Sequence, residues 1–303
     1  MKFSFSIFLV IVLLINAIIR ITRLDYPLSG VFQWGDGARD FLIASHIITD
    51  KAFPLVGPIN LLYDYGVLNS PVYYYLLAAV LLVFNHPLTL GVFNVMLQVG
   101  VLIVVFLITR QAFNKQTALV TILLLGFNLE VIKQSDYIWQ PHVSYPVALL
   151  GLYLLIKSNG NFILLAGCLV LISSAIAIHN SMLPWLPIFL IAALLTLRKW
   201  KKPIVYYLGL ILTPVLTLAL LYGPVFVYLT SHKTNLEQIG NLVITLPDIN
   251  GYLDNLKTNI VMFLDAFNLA NIFILIPVIL ALLYILKFKK HKYEFNKYKY
   301  TSF

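Results

Sequence analysis

The stretch "FSIFLVIVLLINAIIRI", Phe5–Ile21, decides the fold class of this protein. A membrane-spanning helix needs about 17–25 predominantly apolar residues, and this run is long enough. The rest of the 303-residue chain agrees, because it is 60% hydrophobic and only 11% charged. Soluble domains are about half apolar and about a quarter charged. The composition therefore predicts an all-α, polytopic membrane protein and excludes an ordinary soluble enzyme.

The start of the chain resembles a secretory signal, because Lys2 precedes the apolar run. The run is longer than the apolar part of a signal peptide, which is about 7–15 residues. The chain that follows also remains apolar. We therefore expect this segment to be a retained signal anchor.

Further apolar runs predict a bundle of about eight or nine membrane segments. They are residues 71–84, 88–108, 117–132, 143–156, 162–178, 182–197, 204–229 and 261–286. Several are short, as is typical of re-entrant or half-embedded helices. Residues 1–286 are thus predicted to form one transmembrane module, and residues 287–303 a basic cytoplasmic tail.

Basic loops between the runs predict the orientation. Residues 109–116, 157–161, 198–203 and 287–300 carry the lysines and arginines and should be cytoplasmic. The net charge of +9 is then a topology signal, and we expect no nucleic-acid partner. Residues 23–70, 133–142, 179–180 and 231–259 should share the outer side. Strict alternation fails if residues 71–84 cross fully, so either this short run or another one does not cross.

The first outer loop contains "WGDGARD", residues 34–40, which predicts a helix from Asp36 to about Lys51 with Asp36 as N-cap. At about 100° per residue, one face should press onto the bundle: Asp36, Asp40, Ile43 and Ile47. The side chains nearer to water are Arg39, His46 and Asp50. A carboxylate aimed at a membrane cavity is usually functional. Alternatively, Asp36 only caps the helix and Asp40 pairs with Arg39 or Lys133.

Three more outer patches carry polar or aromatic side chains. "KQSDYIWQPH", residues 133–142, supplies Lys133, Asp136, Tyr137, Trp139 and His142. Its aromatic residues also fit an interfacial belt. "AIHNSMLP", residues 177–184, supplies His179 and Asn180, although a histidine at a helix end is commonly a polar cap. "NSPVYYYLL", residues 69–77, places aromatic residues at the start of a helix.

Several kinds of site are excluded by the sequence. There is one cysteine, Cys168, so neither an internal disulfide nor a cysteine-based metal site can form. The chain has no Gly-rich phosphate loop, no HExxH and no GxSxG. The outer histidines lack zinc spacing. A substrate held by lipid is therefore favoured over a soluble nucleotide.

Quoted in order, these segments resemble a known family. An apolar N-terminal helix is followed by "WGDGARDFLIASHIITDKAFPLVGP" (34–58) and "NSPVYYYLLAAVLLVFNHP" (69–87). "KQSDYIWQPHVSYPVALLGLYLL" (133–155) and "IAIHNSMLPWLPIFLI" (176–191) come later. This series is similar to membrane glycosyltransferases of the GT-C fold, of the family 39 type. That group includes protein O-mannosyltransferases and the aminoarabinose transferase acting on lipid A. The resemblance covers about residues 12–197.

The resemblance implies sugar transfer from a polyprenyl-phosphate donor to a hydroxyl of a lipid, glycan or protein acceptor, with inversion. It places the chain in the cell membrane as a multi-pass protein with an extracytoplasmic active face. Asp36 matches the family's essential acidic residue and would be the base, with Gly37 where a second acid often stands. The substrate-binding residues would be Arg39, Asp40, Lys133, Asp136, His142 and His179. The metal requirement stays open, and no metal ligand is assigned.

Two other functions are compatible with the sequence. A transporter or flippase for lipid-linked sugars would also use intramembrane charge, but it should show two related halves with broken helices, which are not apparent. The second alternative is a non-catalytic remnant of the family. It is compatible with the sequence because family members usually continue beyond the length of this chain. We therefore expect a minimal module, a fragment or a frameshifted product. A sugar-transfer assay separates the enzyme from both.

Overall fold

The computed structural model describes residues 5–24, 36–58 and 69–231. The chain divides into two units, Met1–Lys233 and Thr234–Phe303, and the described residues belong to the first. The predicted span 261–286, the outer segment 231–259 beyond its first residue, and the tail 287–303 lie outside the described residues.

The described residues form α-helices and one short 3₁₀ turn, with no strand among them, so the all-α prediction is confirmed for this part of the chain. The helices are α1 Phe5–Ile21, α2 Asp36–Thr49, α3 Val72–Leu81, α4 Pro87–Ala112, α5 Lys115–Gly126, α6 Leu129–Lys133, α7 Gln140–Lys157, α8 Phe162–Ile178, α9 Trp185–Lys199 and α10 Ile204–Ser231. The 3₁₀ turn, Asn180–Met182, precedes α9.

Capping side chains set several helix boundaries. Asn161 accepts hydrogen bonds from the first backbone N–H groups of α8, and Asn114 does the same for α5. One predicted run is wrong: residues 117–132 are not one helix. Asn128 interrupts the run, because its side chain accepts from the backbone N–H groups of Glu130 and Val131 and so begins α6.

Among the described residues, two helices are long and apolar enough to cross a membrane, namely Pro87–Ala112 and the Ile204–Tyr228 part of α10. Only 11% of the α10 window is buried within the protein, which is compatible with a lipid-facing surface. Shorter apolar helices include Phe5–Ile21 and Phe162–Ile178. These features agree with membrane association, and the larger number of crossings stays a prediction.

The short run at residues 71–84 forms a helix of only 10 residues, α3. At about 1.5 Å per residue, α3 is about 15 Å long. The hydrocarbon core of a bilayer is about 30 Å thick. A straight helix of this length cannot cross it, which favours the alternative that this run does not span.

Two clusters of buried apolar side chains hold together the helices around the candidate site. α2 lies on α3, where Ala44 and Ile47 pack with Tyr73 and Leu77 in one buried cluster. α1 lies on α4 and α5 in another, whose members include Val12, Leu102 and Ile122. The ring centroids of Phe5 and Phe106 are 6.1 Å apart, so the start of α1 lies beside the end of α4. These two helices therefore run antiparallel.

Candidate functional site

The inward face of α2 differs from the predicted face by a small rotation. The buried residues are Gly37, Asp40, Ala44 and Ile47. Asp36 and Ile43, which were expected on this face, are only partly buried and lie at its margin. The rotation follows from packing, because the small buried residues Gly37 and Ala44 allow α2 to lie closely on α3. Of the two carboxylates in the first turns, Asp40 is therefore the enclosed one.

Arg39 connects the two carboxylates of α2. Its Nε and Nη2 both donate to Asp40 Oδ1, at 2.9 and 2.7 Å. Its Nη1 lies 2.9 Å from Asp36 Oδ1. The Asp40 side chain is 0% exposed and the Asp36 side chain 45% exposed. The guanidinium thus bridges a carboxylate inside the bundle and one at its surface.

The protonation of Asp40 is set mainly by its burial. Burial raises the pKa of Asp40 to about 6, although the charge and hydrogen bonds of Arg39 act in the opposite direction. The negative charge of Asp36 raises it further. A carboxyl group with this pKa changes its charge close to neutral pH. Because Asp40 is enclosed, it can hold Arg39 in place but cannot meet a substrate from solvent in this conformation.

Two tyrosines of α3 complete the walls around Asp40. Tyr73 is 0% exposed and Tyr74 3% exposed. The Tyr73 hydroxyl lies near the Asp40 carboxylate, and among the described residues it has no hydrogen-bond partner of good geometry. The sequence marked these tyrosines only as an aromatic patch. Their proximity to Asp40 depends on the packing of α2 against α3.

The segment 133–142 contacts α2 at one point and the residues that follow α1 at another. Gln140 Nε2 lies 3.4 Å from Asp40 Oδ2, which is a long hydrogen bond. Asp136 forms a bidentate ion pair with Arg23, which follows α1. Lys133 pairs with Glu130 at 2.7 Å. Of the two predicted partners for Asp40, the structure therefore shows Arg39 rather than Lys133.

Aromatic and histidine rings gather where α7 begins and α8 ends. The His142 ring lies 4.8 Å from the Tyr137 ring and 5.7 Å from the Trp139 ring. His142 is buried, and its Nδ1 lies 3.2 Å from the Tyr137 carbonyl oxygen. The His179 ring is 6.5 Å from that of Trp139. His179 caps the turn after α8, since its Nδ1 accepts from the Ser181 backbone N–H.

Described residues of three polar patches predicted from the sequence thus meet at one end of the bundle. Gln140 links the second patch to Asp40, and Trp139 links it to His179. The sequence reading missed Arg23 and Gln140 as members of this region. One feature of the sequence points to Arg23, since it is a charged residue directly after an apolar run. No feature of the sequence near Gln140 indicates its contact with α2.

An open apolar groove lies at the C-terminal end of α2, the end away from Asp36 and Arg39. It has a volume of about 480 Å³ and is lined by Ile47, Ile48, Lys51, Phe53, Tyr75, Ala78, Ala79 and Leu82. The groove is large enough for part of an apolar chain, with Lys51 as its charged lining residue.

Within the described residues, no group of three or more His, Cys, Asp or Glu side chains is arranged to hold a metal ion. Comparison with protein-family models, with curated proteins and with solved structures gives no match in any of the three. A function for this protein therefore has to be argued from the geometry of the site.

Proposed function

We propose that this protein is a membrane glycosyltransferase that moves a sugar from a polyprenyl-phosphate donor to an acceptor hydroxyl, with inversion. The observation that carries the proposal is the Asp36–Arg39–Asp40 cluster, a fixed arrangement of charges on a chain with few of them. Charged groups held at a membrane-embedded bundle are costly and are usually functional. The short motifs that resemble family 39 glycosyltransferases begin at this cluster.

In this proposal Asp36 is the base. Its carboxylate is the exposed one, so an acceptor hydroxyl can reach it and transfer its proton to it. The acceptor oxygen attacks the anomeric carbon while the bond from that carbon to the phosphate oxygen breaks. The electron pair leaves with the polyprenyl phosphate. A positioned base contributes about 10²–10⁴-fold to such a reaction.

Asp40 is proposed as a positioning residue for Arg39. Two hydrogen bonds from Arg39 to one buried oxygen hold the guanidinium plane, and its third nitrogen then orients Asp36. Positive charge near the leaving phosphate stabilises the charge that develops there. Arg39 is 37% exposed and so is available for that contact. The substrate contacts proposed from the sequence also include Lys133, Asp136, His142 and His179.

The lipid part of the donor is assigned to the bilayer and to the apolar groove beside α2. Ile47 and Phe53 offer an apolar wall, and Lys51 lines the groove as a cation. The proposal further places residues 1–286 in the cell membrane as a multi-pass module, with this end of the bundle extracytoplasmic. The basic loops at the other ends of the helices support that orientation.

The test is transfer by the purified full chain, reconstituted with labelled polyprenyl-phosphate sugars and a panel of lipid, glycan and peptide acceptors. The proposal expects a glycosylated product and release of polyprenyl phosphate. A flippase would instead move the labelled donor across the vesicle bilayer without forming product. Absence of product with every donor, while the donor crosses the bilayer, would contradict the proposal and favour transport.

A further inference from the structure

Arg20 of α1 is a buried cation whose hydrogen-bonding capacity is only partly used. The residue is 0% exposed. Its Nη1 donates to Asn16 Oδ1 at 2.7 Å, and it lies 3.4 Å from the Asn16 carbonyl oxygen and 3.3 Å from that of Gly126. Its Nε and Nη2 have no hydrogen-bond partner among the described residues. Orphaned donors on a buried charge are rare and require an explanation.

Arg20 forms no ion pair within the part of the chain that the structure describes. Asp136 is the carboxylate whose charge acts on Arg20. Both oxygens of Asp136 are already bonded by Arg23, and Arg20 has no carboxylate within ion-pair distance in the described part of the chain. Buried charges are normally paired, so within the described residues the enclosed Arg20 guanidinium lacks an anion that would balance it.

Further orphaned polar atoms lie in the same part of the bundle. Asn94 Oδ1 and Ser135 Oγ are buried with no hydrogen-bond partner in the described part of the chain. Asn94 Nδ2 donates to the carbonyl oxygens of Gln134 and Tyr137, at 2.9 and 2.8 Å, so Asn94 lies against the turn that carries Ser135. Asn94 Oδ1 can accept a hydrogen bond from a protonated oxygen of a bound group, and Ser135 Oγ can donate to such an oxygen or accept from it.

The antiparallel packing of α1 and α4 brings Arg20 level with Asn94. Leu24 lies against Gly91 of α4, where an added Cβ would be 3.0 Å from its Cδ2. Arg20 is one turn before Leu24 on α1, and Asn94 is one turn after Gly91 on α4. This level is about 10 Å along α4 from its first residue. The orphaned groups are thus below the end of the bundle that carries the candidate site.

We propose that Arg20 binds an anion of the phosphate class, with Nε and Nη2 as a bidentate donor pair and Asn94 and Ser135 beside it. Arginine matches a phosphate bidentately, because its two N–H groups point in parallel. The anion supplies the missing negative charge. Its source is either the phosphate of a lipid or free phosphate, since both present the same oxygens.

Access to this site requires a movement of α1, because the guanidinium is enclosed. The side of α1 that faces away from Arg20 carries exposed apolar residues, including Leu14, Ile18 and Ile21, and no described helix covers it. α1 is therefore a peripheral helix, and access to Arg20 requires it to move away from α4 and α5, on which it packs.

The experiment measures binding to the purified full chain in a neutral detergent by native mass spectrometry and thermal shift. The probes are farnesyl phosphate, farnesol and inorganic phosphate. We expect the phosphate probes to bind and to raise the melting temperature, and farnesol not to do so. Arg20→Gln should weaken binding about tenfold or more, since a charge-assisted bidentate contact is lost. The matched control is Arg110→Gln, at the exposed other end of α4.

A second variant keeps the test decisive if Arg20→Gln does not fold. Arg20→Lys retains the charge without the bidentate geometry, so its binding should be weakened by less. Tighter binding of farnesyl phosphate than of inorganic phosphate identifies a lipid source, and equal binding identifies free phosphate. The inference is overturned if neither phosphate probe binds, or if both Arg20 variants bind as the wild type does.

This inference goes beyond the proposed sugar transfer and does not depend on it. Phosphate binding that requires Arg20 in a protein without transferase activity would leave the inference standing and remove the proposed function. Sugar transfer with unaltered phosphate binding in the Arg20 variants would leave the proposed function standing and remove the inference about Arg20.

Discussion

The substitution Asp40→Asn should change how the stability of the protein depends on pH. The folded-state pKa of about 6 lies above the usual value of 3.8 for this carboxyl group. The folded state therefore binds a proton more tightly than the unfolded state does. The stabilisation is fully present below the unfolded pKa and is lost as the pH rises through about 6. Asparagine does not titrate, so Asp40→Asn should remove this contribution.

The magnitude follows from the difference between the two pKa values. At about 1.4 kcal/mol per pH unit, a difference of about two pH units corresponds to about 3 kcal/mol. Asp40 is fully buried, so solvent screening does not reduce this figure. Relative to Asp40→Asn, the wild type should lose about 3 kcal/mol of unfolding free energy between about pH 4 and pH 7.5. Most of the loss should fall between about pH 4 and 6.

The assay is equilibrium unfolding in detergent at several pH values, with the difference between wild type and variant followed rather than either curve alone. Asp50→Asn is the control on the same helix, because that carboxyl group is exposed and its pKa is lowered by hydrogen bonds from Thr49 and His46. It should leave the profile above pH 4.5 unchanged. Parallel curves for wild type and Asp40→Asn, or a difference of opposite sign, would refute the reasoning.

Three further predictions use other parts of the structure. Asp36→Asn should lower sugar transfer by about 10²-fold or more, because the amide accepts no proton. Folding should persist, since Asn is as favourable as Asp at the start of a helix. Near-normal turnover of the variant would show that Asp36 is not the base. Gly126→Ala should destabilise the protein by about 1–3 kcal/mol in thermal unfolding, because a Cβ there lies 2.6 Å from Asn16 Oδ1. Gly100→Ala is its control and should stabilise by about 0.5–1 kcal/mol, since nothing lies within 4 Å. A cysteine at the exposed Thr49 should react with a membrane-impermeant maleimide from outside intact cells, and labelling only from the cytoplasmic side would overturn the orientation.

Local sequence determined the boundaries of two helices at both ends. α1 and α8 begin and end at the residues that the apolar runs predict, Phe5–Ile21 and Phe162–Ile178. An apolar run and a capping residue are both neighbours in sequence, so the backbone hydrogen bonds that they favour need no distant partner. The break at Asn128 also has a local cause, although its apolar surroundings concealed it.

Tertiary packing decided which charged groups are enclosed and which partners they have. The amphipathic pattern placed Asp36 and Asp40 on one face of α2, but close packing on α3 turned the helix so that only Asp40 is buried. Arg23 and Asp136 are 113 positions apart, and Gln140 and Asp40 are 100 positions apart. Such contacts arise only when several helices have packed together, because hydrophobic periodicity specifies the buried face of each helix and not the neighbour that covers it. The burial of Arg20 with no ion-pair partner among the described residues has the same origin, and it is visible only in the folded protein.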